Sequence, residues 1–332
     1  MTLFLDSIAH FLVDALCITS LFSAGAEGDV LLTGVLLYNT LAFSTQCLVG
    51  LVTDRLRRSR MAELISFALV ILGFALPVNY YLRIVLFGLG NSLFHVAAGT
   101  RTLERGGGRA WQLGVFVAPG AFGVTLGTLC PRFGWLLAGL MLVCAAAVAL
   151  TGREAPAGGS APPPAASGPV PLLPVLLLTA AVAVRALGGV AVAFPWKQSA
   201  LDAVLLTGFV FAGKTLGGFV CDRLGAKRAA WISVPAAALC VAFFSWNMPL
   251  SMLGQLLLNL TMPVTLWLLY RLMPDSPGFA FGLAASALWP GTIAGRFVSL
   301  SGPWLRVFVI LSFLVSLAAI LWSAAVTSKH NL

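Results

Sequence analysis

The chain has 332 residues and a formal net charge of +9; 59% of its residues are hydrophobic and 9% charged, with a mean hydropathy of +0.97. A soluble globular domain carries about 25% charged residues, so that class is excluded. Apolar runs of about 18–25 residues follow one another almost without pause, which is the signature of a polytopic membrane protein, so the basic excess reads as membrane topology and not as a nucleic-acid surface.

In chain order the pattern predicts an all-α membrane protein of twelve transmembrane helices, arranged as two six-helix pseudo-repeats. The first six spans are expected near 2–24, 29–52, 61–78, 81–103, 110–130 and 133–152, and the second six near 171–194, 200–221, 229–246, 249–271, 278–299 and 304–327. This divides the chain into an N-terminal bundle (1–152), a linker (153–170) and a C-terminal bundle (171–332). The linker is rich in Pro, Ala, Gly and Ser and includes Pro162-Pro163-Pro164, a composition that packs no core and predicts an extended cytoplasmic segment. The other loops are short, which leaves no room for a soluble enzyme module, so the protein is not expected to be an enzyme. The opening segment lacks a positive n-region and is expected to be the first span, not a cleaved signal. The six cysteines lie scattered through apolar segments without ligand spacing, and are expected to be buried and unpaired.

Lys and Arg set the orientation. With both termini cytoplasmic, thirteen fall on that side: Arg55, Arg57, Arg58, Arg60, Arg101, Arg105, Arg109, Arg153, Arg223, Lys227, Arg228, Arg271 and Lys329. The other side holds Arg83, Arg132, Lys197 and Arg306, while Arg185, Lys214 and Arg296 fall inside spans. The asymmetry predicts an integral membrane protein, in a bacterial inner membrane, with both ends inside.

A short basic stretch occurs twice. It reads Gly50-Leu-Val-Thr-Asp54-Arg55-Leu-Arg57-Arg58-Ser-Arg60, then Gly218-Phe-Val-Cys-Asp222-Arg223-Leu-Gly-Ala-Lys227-Arg228, at a constant offset of 168 residues. Asn91 and Asn259 share that offset, and Pro119-Gly120 and Pro290-Gly291 repeat at 171. A parallel repeat of two six-span halves follows.

These two stretches resemble the loop motif of the major facilitator superfamily, Gly-x-x-x-Asp-Arg-x-x-x-Arg/Lys-Arg/Lys, found between spans two and three and again between eight and nine. The resemblance implies that Gly50, Asp54, Arg55, Gly218, Asp222, Arg223 and Arg228 serve a cytoplasmic gate, with the aspartates and neighbouring arginines latching it. Alternatively the arginines only set topology. His10-Phe-Leu-Val-Asp14 and Gly88-Leu-Gly90-Asn91-Ser-Leu-Phe94-His95-Val-Ala are similar to stretches of the fosmidomycin-resistance-like branch, with Val96 where that branch has proline. That branch exports an anionic phosphonate antibiotic among other drugs.

Ionisable groups inside a span are costly and are functional candidates. Asp6, His10 and Asp14 recur at i, i+4 and i+8, so they share one face of span one, with Asp6 near enough to its end to reach the interface. Asp14, with His10 or His95 assisting, is the expected site of a coupling proton; the alternative is a hydrogen-bonded pair that locks span one to span four. Arg185 and Lys214, and less centrally Asn91, Asn259 and Arg296, are the expected substrate contacts. By the resemblance Arg185 and Lys214 approach a central cavity from the second half, and a cationic half-site suits a carboxylate or phosphonate. The alternative is an internal salt bridge from Arg185 or Lys214 to Asp14. No phosphate-binding loop appears, so a proton gradient rather than a nucleotide is the expected energy source, with no cofactor. The expected function is secondary active transport of a small organic anion by a monomer in the lipid bilayer, with efflux favoured over uptake. Two alternatives are transport of a cation or divalent metal on Asp6, His10, Asp14 and His95, and a non-transporting receptor or scaffold.

Overall fold

A computed structural model describes residues 2–23, 25–151 and 170–329. The linker expected over 153–170 lies outside the described residues, apart from Val170. The described residues form helices joined by short turns, without strands. The first half comprises α1 (Thr2–Ser23), α2 (Gly28–Asn39), α3 (Gln46–Leu56), α4 (Ser59–Ala75), α5 (Tyr80–Arg105), α6 (Trp111–Val117), α7 (Pro119–Leu129) and α8 (Gly134–Thr151). The second comprises α9 (Leu172–Val190), α10 (Ala200–Leu224), α11 (Ala226–Phe243), α12 (Met248–Asn259), α13 (Thr261–Leu272), α14 (Pro277–Arg296) and α15 (Gly302–Lys329).

Each of the twelve expected segments contains helix among the described residues. Among the described residues ten helical stretches are long and apolar enough to cross a membrane, including Gly28–Leu56, Trp111–Leu129 and Met248–Leu272, each of which passes through a short irregularity. Ser59–Ala75, at 17 residues, and Pro277–Arg296 fall outside that set. α9 stops at Val190, four residues before the expected end, where the chain enters a turn closed by the Lys197 N–H on the Phe194 carbonyl.

The irregularities have local causes. Between α2 and α3 lies a π-helical turn, Thr40–Ser44. Around it the side chains of Asn39, Thr40, Thr45 and Gln46 each donate to the carbonyl four residues back, a competition with the backbone ladder that loosens a helix. Pro119 separates α6 from α7. α3 ends on Arg57, whose φ of 51° is left-handed, and Ser199 with Asp202 forms a capping box at the start of α10.

The helices gather into two compact units. Unit one takes the chain through Arg105, resumes at Phe116 and includes Ser276–Ser286, the start of α14. Unit two takes Gly106–Val115, the chain from Val170 through Asp275, and Ala287 onward. Within each, helices meet through glycines. A Cβ on Gly123 would lie 2.5 Å from the Phe11 carbonyl oxygen and one on Gly127 2.7 Å from that of Ala15, so α7 lies backbone-close on α1. In unit two Gly291 closes on the Ala183 carbonyl and Gly295 on that of Leu187, bringing α14 against α9 in the same way. Such small-residue seams are how membrane helices gain dispersion contact where no hydrophobic drive exists between them.

Candidate functional site

In unit one, the face of α1 predicted from the i, i+4, i+8 spacing is buried: Asp6 is 4% exposed, His10 4% and Asp14 8%. At Asp14 the helix meets α5. Asn91 Nδ2 donates to Asp14 Oδ1 at 2.7 Å. His10 Nε2 lies 3.3 Å from Asp14 Oδ2 and His95 Nε2 3.8 Å from Oδ1. The two imidazoles meet edge to face, their Nε2 atoms 2.9 Å apart. Phe94 and Phe116 pack on His10, with ring centroids 6.0 and 4.9 Å away. Gly120 of α7 closes another side: a Cβ there would lie 2.5 Å from Asp14 Oδ2 and 2.7 Å from His10 Cδ2. An apolar wall with one carboxylate and two imidazoles inside can hold a positive charge. His10, Asp14 and His95 each present a ligand atom within 4.8 Å of the others, which also suits a cation.

Asp6 is not part of this cluster, and two expectations need correction. Asp6 is not free to snorkel outward; it is buried and its Oδ1 accepts from Arg101 Nη2 at 2.7 Å. Arg101 is not a loop cation. It lies inside α5, 3% exposed, and its Nη2 is also 2.5 Å from Glu63 Oε2. Glu63, fully buried on α4, is absent from the sequence-based candidates although it is the one acidic residue of its span. The desolvated arginine draws both carboxylates to itself, so the cation alternative loses one of its four proposed ligands.

In unit two, Arg185 is 6% exposed near the C-terminal end of α9. Its Nη1 donates to Thr261 Oγ1 at 2.5 Å, at the break between α12 and α13. Among the described residues of unit two no carboxylate comes within ion-pair range of it. Lys214 is half-buried on α10. Asn259 is half-buried, and its amide donates to the Gln255 carbonyl at 2.8 Å. Arg296 is exposed in the last turn of α14. Asn91, expected as a substrate contact, is committed to Asp14.

The doubled loop has matching geometry in both copies. Asp54 accepts from the N–H groups of Gly278 and Phe279, both at 2.7 Å, at the start of α14. Asp222 accepts from those of Ala110 and Trp111, at 2.7 and 3.0 Å, at the start of α6. The acceptor and donor positions are each displaced by 168 residues. Gly50 lets the chain close on Gly278 and Phe279, as Gly218 does on Ala110 and Trp111. A carboxylate at a helix N-terminus satisfies orphan N–H groups and complements the helix dipole. Arg55, Arg223 and Arg228 are exposed, so in these contacts the aspartates hold a helix end while the arginines face outward.

Comparison with known proteins bears on the fold. No family model and no curated protein sequence matches the chain. Among solved structures, the chain is similar to FucP, a major facilitator superfamily transporter in the outward conformation, with a TM-score of 0.68 and 12% identity over 97% of this chain and 98% of that one. It is likewise similar to an asparagine-to-alanine variant of the E. coli fucose:proton symporter FucP, with a TM-score of 0.65 and 12% identity over 96% and 97%. The fold is the major facilitator fold.

Proposed function

We propose that this chain, an integral membrane protein with the major facilitator fold, is a secondary transporter. It moves a small organic anion by alternating access and draws on the proton gradient, with efflux as its direction. The observation that carries the anion is Arg185: a buried guanidinium with five donors, a hydroxyl as its side-chain partner and, among the described residues of its unit, no carboxylate within ion-pair range. A guanidinium stays protonated, and a buried cation is held at a cost of several kcal/mol unless an anion meets it. A carboxylate or phosphonate solute supplies that anion in bidentate form. Lys214 adds positive potential, while Asn259 and Arg296 are secondary contacts. The His10–Asp14–His95 cluster supplies the coupling charge, and the Asp54 and Asp222 caps serve the gate. The similar fucose:proton symporter is itself proton-coupled by name. At 12% identity it lends no substrate.

The test uses purified protein in liposomes with an imposed pH gradient and a panel of labelled carboxylates and phosphonates. Gradient-dependent flux of an anion is expected, lost by more than tenfold in Arg185→Gln and partly retained in Arg185→Lys. Flux of divalent cations in place of anions would favour the metal reading, and no flux of any solute would favour the receptor. Anion flux unaltered in Arg185→Gln would remove the anion site.

A further inference from the structure

The two histidines of unit one are held in a way that fixes where a proton sits. His10 Nδ1 lies 2.7 Å from the Phe116 carbonyl oxygen. His95 Nδ1 lies 2.9 Å from that of Asn91. A carbonyl oxygen only accepts, so in both rings the Nδ1 atom carries the hydrogen. In a neutral imidazole the other nitrogen is then a bare lone pair. Yet the Nε2 atoms of His10 and His95 face each other at 2.9 Å, a hydrogen-bond distance. Two lone pairs at that separation repel. One additional proton between them turns the repulsion into a charge-assisted N–H···N bond.

We propose that the cluster binds its proton on the His10–His95 pair, shared between the two Nε2 atoms, while Asp14 stays ionised as the fixed counter-charge. This deepens the proton-coupled reading above and rests on it for its role in transport. Asp14 is placed for that part. One oxygen accepts from the Asn91 amide and the other lies beside His10 Nε2, so each oxygen already faces a donor or a positive charge. The balance is one proton, one imidazolium and one carboxylate, a neutral set inside an apolar wall. When the proton leaves, two neutral rings remain with lone pairs opposed at 2.9 Å and a carboxylate without its counter-charge. Release therefore drives His10 on α1 apart from His95 on α5.

The surroundings contribute little competing charge. The other titratable groups bordering Asp14 are the Cys17 thiol on α1 and the Tyr38 phenol on α2, which ionise in water only at alkaline pH. α6 and α7 contain no titratable residue. Asp6 of α1, Glu63 of α4 and Arg101 of α5 are closed on one another, and Cys144 of α8 is a thiol facing the Leu5 carbonyl.

The experiment is nitrogen-15 histidine NMR of the full chain in nanodiscs, with the third histidine, His330, replaced so that two remain. At about pH 7 the expected spectrum shows Nδ1–H in both rings and one extra proton per protein spread over the two Nε2 atoms. His10→Gln and His95→Gln each abolish the extra proton. Asp14→Asn also removes it while both Nδ1–H signals persist, an outcome a purely structural Asp14 would not give. Retained Nδ1–H signals certify that the variants are folded. A ring found as the Nε2–H tautomer, a protonated Asp14 carboxyl, or a stoichiometric metal ion on the two Nε2 atoms would each overturn the proposal. Gradient-driven flux is measured on the same samples. A shared proton with flux indifferent to the gradient supports the pair but fells the coupled-transport reading. Coupled flux without the shared proton does the reverse.

Discussion

Arg101 stands between two carboxylates, Asp6 and Glu63, with all three side chains withdrawn from solvent. One guanidinium serving two acids makes the roles of the three unequal. Removing the cation in Arg101→Met strands both carboxylates and is expected to cost about 3–5 kcal/mol, the penalty of breaking a buried pair. Removing one acid in Glu63→Gln leaves a neutral Asp6–Arg101 pair, and a much smaller loss is expected. Thermal unfolding in detergent of the two variants side by side checks the order; equal melting temperatures would show that the triad is not held by charge. The same reasoning separates Arg185, whose partner is a hydroxyl, from Arg101. In the proposed function the first awaits an anion, whereas the second already lies between two carboxylates.

Asp54 caps the start of α14 and Asp222 the start of α6, each through two backbone N–H groups. Loss of such a cap costs about 0.5–2 kcal/mol. In hydrogen-exchange measurements Asp54→Ala should therefore expose the amides of Gly278 and Phe279 while leaving Ala110 and Trp111 protected, and Asp222→Ala should do the opposite. Exchange rising at both ends in either variant would mean the caps do not act locally. Gly50 makes the close approach possible: a Cβ there would lie 2.6 Å from the Gly278 carbonyl carbon and 2.8 Å from Phe279 Cα. Gly50→Ala is expected to destabilise by about 1–3 kcal/mol, the usual cost of forcing atoms into packed space. Its effect should be less than additive with Asp54→Ala, since both loosen the same helix end. A double-mutant cycle in thermal denaturation reads the coupling.

For the whole molecule the proposal of cytoplasmic termini makes a prediction about sidedness. Arg228 and Lys197 are both exposed and are expected on opposite faces of the membrane. In a cysteine-free background a membrane-impermeant maleimide should label Arg228→Cys in inside-out vesicles and Lys197→Cys in right-side-out ones. The reverse pattern would invert the orientation and, with it, the side on which the doubled loop lies. The six cysteines are free, so reductant should leave the melting temperature unchanged.

The helices and the duplication were legible in the chain because both are local or periodic. An apolar run of membrane length must form a helix to satisfy its backbone, and a Gly-Asp pair recurring at 168 residues needs no tertiary knowledge to be seen. The charged face of α1 was legible for the same reason, from helical periodicity. What only the tertiary structure decided is which charge meets which. Arg101 reads as one more basic residue near a span end, and Glu63 as a lone acid, until α1, α4 and α5 pack and the low dielectric draws them together with Asp6. The His10–His95 contact arises from residues 85 positions apart, and the rings are oriented by two backbone carbonyls, Phe116 and Asn91, that no side-chain pattern announces. The aspartates of the doubled loop show their sequence partners as arginines, yet in space they turn to helix N-termini. An N–H group left unpaired by the start of a helix is a stronger claim on a carboxylate than a solvated arginine is.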